Sequence, residues 1–297
     1  MTVLVCSLPG DPIPGALRFG WMREMFPDVH VVHITEDLPQ EPEDHPDFWA
    51  IWRRVCQEAA GEPVDVVFAS EDYGFRLAAE LGARYVPVDH GRQQVPISAT
   101  AVRADPMGCW EAIPEVVRPH FVRRVCVFGP ESTGKSTLAA DLARHYGSVF
   151  VGEYARGLLD HKEGRCDPED IPLIVRGQLA SEDALARQAR RVLFCDTDAL
   201  TTTIWSDWLF GGCPDWIRQI ARARRYDLTL LLDVDVPWVD DRQRFLRDQR
   251  QTFFARCEEA LRGHDRPYVH IRGGWAQRWA QARAAVDGLL AAAAPAA

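Results

Sequence analysis

Short apolar runs alternate along the chain with longer stretches whose apolar residues recur at helical spacing. The short runs fall at 2–7, 29–34, 64–69, 84–88, 124–128, 149–151, 192–195, 228–232 and 268–271, and each is expected to be a strand. Stretches 16–25, 47–59, 135–146, 169–190 and 275–290 are expected to be helices. In 135–146, Leu138, Leu142 and Tyr146 share one face, with Ala139 and Ala143 beside them. Near-continuous apolar strands separated by helices imply parallel sheets covered on both faces. The expected fold class is therefore α/β, with two doubly wound parallel-sheet domains. Prolines punctuate 113–121, which reads as the joint and places the domains at 1–120 and 121–297. There is no internal repeat, and the Ala-rich tail 291–297 is expected to fray.

Composition narrows the choice of partner. Of 297 residues, 47% are hydrophobic and 26% charged, an ordinary globular balance. A net charge of -9 repels a phosphate backbone, which argues against nucleic acid as a partner. The eight cysteines have neither metal-site nor redox spacing, and Cys126 and Cys195 read as small buried hydrophobes. No run approaches the roughly 20 apolar residues that span a bilayer, and the opening residues lack a signal-peptide pattern. The expectation is a reduced, cytoplasmic protein with small-molecule partners and no membrane association. Homo-oligomerisation is left open.

One motif carries chemistry. Gly129, Pro130, Glu131, Ser132, Thr133, Gly134, Lys135, Ser136 and Thr137 fit G-x-x-x-x-G-K-[ST], between an apolar strand and a helix. Glycines let successive backbone N–H groups converge on phosphate, and the helix start adds a favourable dipole. Lys135 is expected to bridge the β- and γ-phosphates of ATP, and Ser136 to ligate Mg2+. The next strand ends in Glu153, Tyr154, Ala155 and Arg156. Glu153 there could accept the proton of an attacking hydroxyl, with Tyr154 and Arg156 holding substrate; alternatively it is a solvated helix start. The strand 192–195 runs into Asp196, Thr197 and Asp198. Asp196 fits the magnesium-binding acid, and Asp198 is either a substrate contact or a helix cap. Beyond 228–232, Arg242, Arg244, Arg247 and Arg250 crowd one segment. It reads as a lid bringing Arg244 and Arg250 to the transferring phosphoryl, or as a solvated basic helix.

No N-K-x-D segment is present, as a guanine-specific GTPase would need, and no transporter-ATPase signature appears. The size after the phosphate loop fits a nucleoside or nucleotide kinase. Taken in order, VFGPESTGKST, EYAR, FCDTDALTT and PWVDD resemble the NadR-type bifunctional proteins. These join a nicotinamide-mononucleotide adenylyltransferase domain to a ribosylnicotinamide kinase domain. The resemblance implies that nicotinamide riboside is phosphorylated to nicotinamide mononucleotide in NAD salvage. In the first half, Ile97 to Arg103 is similar to the adenylyltransferase I-S-x-T-x-x-R signature, which implies a phosphate site at Ser98, Thr100 and Arg103. Ser98 is also a good N-cap. Trp49 and Trp52 fall where the family places aromatics near the pyridine ring, or else form a helical core face. The family's opening strand and G-x-F-x-P-x-H-x-G-H loop have no counterpart here. This implies an incomplete nucleotidyltransferase-like Rossmann domain, an unpaired central sheet edge and impaired adenylyl transfer to nicotinamide mononucleotide. The competing functions are a kinase for another nucleoside and a nucleotide-sensing regulator.

Overall fold

The computed structural model describes residues 1–292; the end of the Ala-rich tail, expected to fray, lies outside the described residues. The chain divides into two compact units, the first Met1–Ala104 and the second from Asp105 onward. All nine expected strands form, none shifted by more than two residues at either end.

The first unit contains β1 (Thr2–Cys6), α1 (Gly15–Met25), β2 (His30–Ile34), α2 (Phe48–Ala60), β3 (Val66–Ala69), α3 (Tyr73–Leu81), β4 (Arg84–Pro87) and α4 (Ala99–Ala104). Its strands do not form one sheet. β1 pairs with β2 and β3 with β4, both in parallel, and no ladder joins the two pairs among the described residues. Trp52 donates from Nε1 to the Pro39 carbonyl (2.9 Å), and Phe48 packs edge-on against Trp49, so these aromatics pin α2 to its own surroundings.

The second unit opens with a strap, not a linker. Met107, Trp110, Ile113 and Val122 are buried, and the Arg118 guanidinium lies over the Trp110 ring. The prolines of 113–121 thus shape a packed segment. After α5 (Arg118–Phe121) come β5 (Arg123–Phe128), α6 (Lys135–His145), β6 (Phe150–Val151), α7 (Tyr154–Asp160), α8 (Asp170–Ala186) and β7 (Val192–Asp196). Then follow α9 (Ala199–Phe210), α10 (Asp215–Ala223), β8 (Leu228–Leu232), α11 (Arg250–Gly263), β9 (Tyr268–Ile271) and α12 (Trp275–Ala291).

All five strands are parallel, in the order β6-β7-β5-β8-β9. Alternation sends Val125, Val127, Phe194, Leu230 and Leu232 into one core layer, where α6 and α12 cover them with Leu138, Leu142, Ala282 and Val286. The opposite face buries Cys126, Cys195 and Leu231, and burial pushes both thiols well above their usual range. The chain reverses its direction of winding at β5, between β7 and β8. Ligands of open α/β sheets bind outside the carboxyl ends of strands at such a point. No helix of the described residues is long and apolar enough to cross a membrane.

Candidate active site

The loop after β5 has a shape that only its own residues allow. Gly129 sits at φ 135°, and a Cβ there would lie 2.8 Å from the Leu232 carbonyl oxygen. Gly134, at φ 87°, lies against the Trp275 ring, 2.5 Å from where a Cβ would project. Within the loop, Lys135 Nζ and Thr133 Oγ1 both donate to the Pro130 carbonyl, each at 2.9 Å. Arg278, from α12, holds the loop from behind. It donates to the Thr133 carbonyl (2.9 Å) and the Asp233 carbonyl (2.8 Å) and pairs with Asp235.

Two carboxylates meet this loop. Ser136 Oγ donates to Asp196 Oδ2 at 2.5 Å, while Asp196 Oδ1 is buried without a partner among the described residues. A bare buried acceptor is costly, and a hard cation between Ser136 and Asp196 would satisfy it. The oxygen-only donor pair fits Mg2+. No cluster of three or more His, Cys, Asp or Glu suited to a metal occurs among the described residues. Such an ion would therefore take its remaining ligands from phosphate oxygens and water. Glu153 stands at the end of β6. Burial, and then the nearby Asp196 carboxylate, push its carboxyl above the usual range, against the pull of Lys135 and Arg156. Burial likewise raises Asp196, opposed by Lys135 and by its bond from Ser136.

A cavity of about 380 Å³ opens over the loop. Its polar lining includes Lys135, Ser136, Glu153, Arg156 and Arg244; its apolar lining includes Leu159, Ile171, Ile174, Trp205, Leu209 and Phe245. Residues 233–249, the segment read as a lid, cross the loop without regular structure, so the basic-helix alternative falls. The Glu131 carboxylate accepts from the Phe245 and Leu246 amides, both at 3.0 Å, and Ser132 Oγ accepts from the Val239 amide at 2.8 Å. Arg244 donates to the Val239 carbonyl (2.7 Å), and its buried Nε has no partner among the described residues.

Several expected site residues do other work. Arg250 does not line the cavity. It donates to the Val236 and Ser132 carbonyls and stacks on Trp238, bracing loop and lid together. The Tyr154 side chain also lies outside the cavity lining, packed where a Cβ on Gly177 would project. Arg156 does line the cavity and is tied to Asp241 of the lid at 2.8 Å.

Asp198 is turned inward. One oxygen caps α9 through the Thr201 amide (2.9 Å) and the other pairs with buried Arg266, so the substrate alternative gives way to the cap. Asp198→Ala should therefore destabilise the fold by about 3–5 kcal/mol, because Arg266 is left buried and unpaired. Urea unfolding would measure this, and an unchanged midpoint would refute it. In the first unit, Ser98 Oγ accepts from the Ala101 amide as an N-cap, and Arg103 donates to Thr100 Oγ1 at 3.2 Å. Glu131 as a latch, Arg278 as a brace and the Trp205–Phe245 wall were not legible in the sequence. The latch partners are backbone amides, and the others lie far along the chain.

Comparison with known proteins agrees with this arrangement. The family described as AAA domain matches residues 124–278, more than half of the chain. The trifunctional NAD biosynthesis/regulator protein NadR of Escherichia coli (strain K12) is 31% identical over 270 residues, 87% of this chain and 65% of that protein. Its Salmonella typhimurium counterpart is 29% identical over 265 residues, 86% of this chain and 65% of that protein. The chain belongs to the AAA-domain family and is of the NadR type. The matched region spans just under two thirds of those relatives. A crystal structure of a NadR protein in complex with NR aligns with a TM-score of 0.79 at 24% identity, covering 98% of this chain and 88% of that one. A second, with NAD and AMP-PNP, gives 0.80 at 24% identity, covering 99% and 89%. The NadR-type fold thus extends over both units.

Proposed function

We propose that this NadR-type protein transfers the γ-phosphoryl group of ATP to nicotinamide riboside, forming nicotinamide mononucleotide. The observation that carries this is the single cavity in which Lys135, Ser136 and Glu153 adjoin an apolar, aromatic-walled lining. The polar lining suits a triphosphate and an attacking hydroxyl, and the apolar lining suits a flat ring. Glu153 takes the proton of the ribose hydroxyl, a role favoured by a carboxyl held above its usual range. Lys135 and Arg244 face the charge that develops on the phosphoryl oxygens. Ser136 and Asp196 would hold Mg2+, which would supply positive charge to offset that of the phosphates. Relatives named for NAD biosynthesis and a structural neighbour holding NR support this choice of acceptor.

The test is ADP release by the purified chain with Mg-ATP, with and without nicotinamide riboside. Strong stimulation by nicotinamide riboside is expected. Stimulation by deoxynucleosides alone would assign the chain to another nucleoside, and no stimulation by any nucleoside would favour a nucleotide sensor.

A further inference from the structure

Gln178 is a buried polar residue of α8, in register with Ile171 and Ile174. On α8, Ile171, Ile174 and Gln178 all line the cavity, and Gln178 is only 2% exposed. Its two amide atoms differ sharply. Oε1 accepts from the Tyr154 amide at 3.0 Å, while Nε2 is buried and has no partner among the described residues. The bond from Tyr154 fixes which way the amide points, so Gln178 offers a donor and not an acceptor.

The neighbouring groups are otherwise engaged. Thr201 and Thr202 also line the cavity, but their hydroxyls donate to the Asp198 carboxylate (3.1 Å) and carbonyl (3.3 Å). Of the cavity-lining residues, Arg244 and Gln178 alone have a buried side-chain nitrogen or oxygen with no partner among the described residues. Arg244 belongs to the segment read as a lid and is tied to the Val239 carbonyl there. Trp205 and Phe245, whose rings meet edge-on at 5.7 Å, line the same cavity as Gln178.

We propose that Gln178 is the specificity-determining residue for the acceptor, its Nε2 donating to the carbonyl oxygen on the ring of the bound nucleoside. An apolar slot alone accepts any flat ring. A lone desolvated donor selects for a ring that carries an acceptor at one place, because a ring without one leaves the amide unpaired. On a pyridinium riboside the ring nitrogen is bonded to the sugar, so the carboxamide oxygen is the base's acceptor.

This rests on nicotinamide riboside being the acceptor, and the experiment separates the two claims. The wild-type chain is assayed with nicotinamide riboside, nicotinic acid riboside and the unsubstituted pyridinium riboside. Gln178→Glu is assayed with the first two. Wild type should lose about 10- to 100-fold in kcat/KM on the unsubstituted ring, mostly through KM. Gln178→Glu keeps an acceptor for the Tyr154 amide but turns a carboxylate oxygen toward the ring substituent. It should therefore shift the kcat/KM ratio toward the amide over the acid by about tenfold or more. A merely structural Gln178 would leave that ratio unmoved. Equal wild-type use of the substituted and unsubstituted rings overturns the assignment, and does so without any variant. So does an unshifted amide-to-acid ratio in an active Gln178→Glu. If wild type phosphorylates none of the three, the proposed function itself fails and this assignment falls with it.

Discussion

Lys135→Ala should lower phosphorylation of nicotinamide riboside by about 10³-fold while leaving the fold intact. The side chain's bond in the structure is to the Pro130 carbonyl within its own loop, so little packing depends on it. The loop keeps its shape through Gly129, Gly134 and the Arg278 brace, none of which the substitution touches. What is lost is a mobile cation that exchanges a carbonyl for phosphate oxygens as charge develops on them. The chain has one other lysine, Lys162, and it is paired with Asp167 (2.7 Å) and Asp170 (2.5 Å). No other ammonium group can therefore take over. Arginine should not rescue the position, since a planar guanidinium does not fill the place of a compact ammonium. Turnover with saturating ATP is the measurement, alongside thermal unfolding as a control. Wild-type turnover in a folded variant would remove the loop lysine from the reaction.

The strands were legible because a parallel sheet buried on both faces demands unbroken apolar runs, and β5, β7 and β8 show them plainly. The phosphate loop was legible because its geometry demands glycine at 129 and 134, in fixed spacing with Lys135 and Ser136. The choice between Asp196 and Asp198 was less so. Strand alternation would put both on one face, but Thr197 sits at φ 67° and breaks the alternation, sending Asp198 into the α9 cap. The domain joint misled for a similar reason. Prolines mark segments that cannot join a ladder, and that holds equally for a flexible linker and for a strap anchored by a buried Trp110. The lid resisted because Glu131 binds it through backbone amides, which leave no trace in side-chain identity. Gln178 did leave a trace, as a polar residue in register with Ile171 and Ile174. Its meaning depended on knowing that Tyr154 occupies one end of its amide.

Glu153→Gln separates catalysis from stability, because the two should move differently. An amide has the carboxylate's shape but accepts no proton, so kcat should fall by about 10²–10⁴-fold. Stability should not fall with it. Burial and the adjacent Asp196 hold the Glu153 carboxyl above its ordinary value of 4.5. The folded state then binds this proton more tightly than the unfolded chain does, so the ionised group lowers stability as pH rises from that ordinary value through the raised one. A neutral glutamine removes that penalty and the repulsion toward Asp196. Without nucleotide, the variant should match wild type in acid and equal or exceed it at pH 8 in urea unfolding. The same shift governs the rate. As a base, Glu153 works only when ionised, so wild-type kcat/KM should rise along an acid limb displaced above the usual carboxylate range. In Glu153→Gln that limb should be missing from whatever activity is left. A variant with wild-type kcat and an unchanged acid limb would move the base elsewhere. Asp196 is then the alternative among the carboxyls beside the loop, though it is already bonded to Ser136.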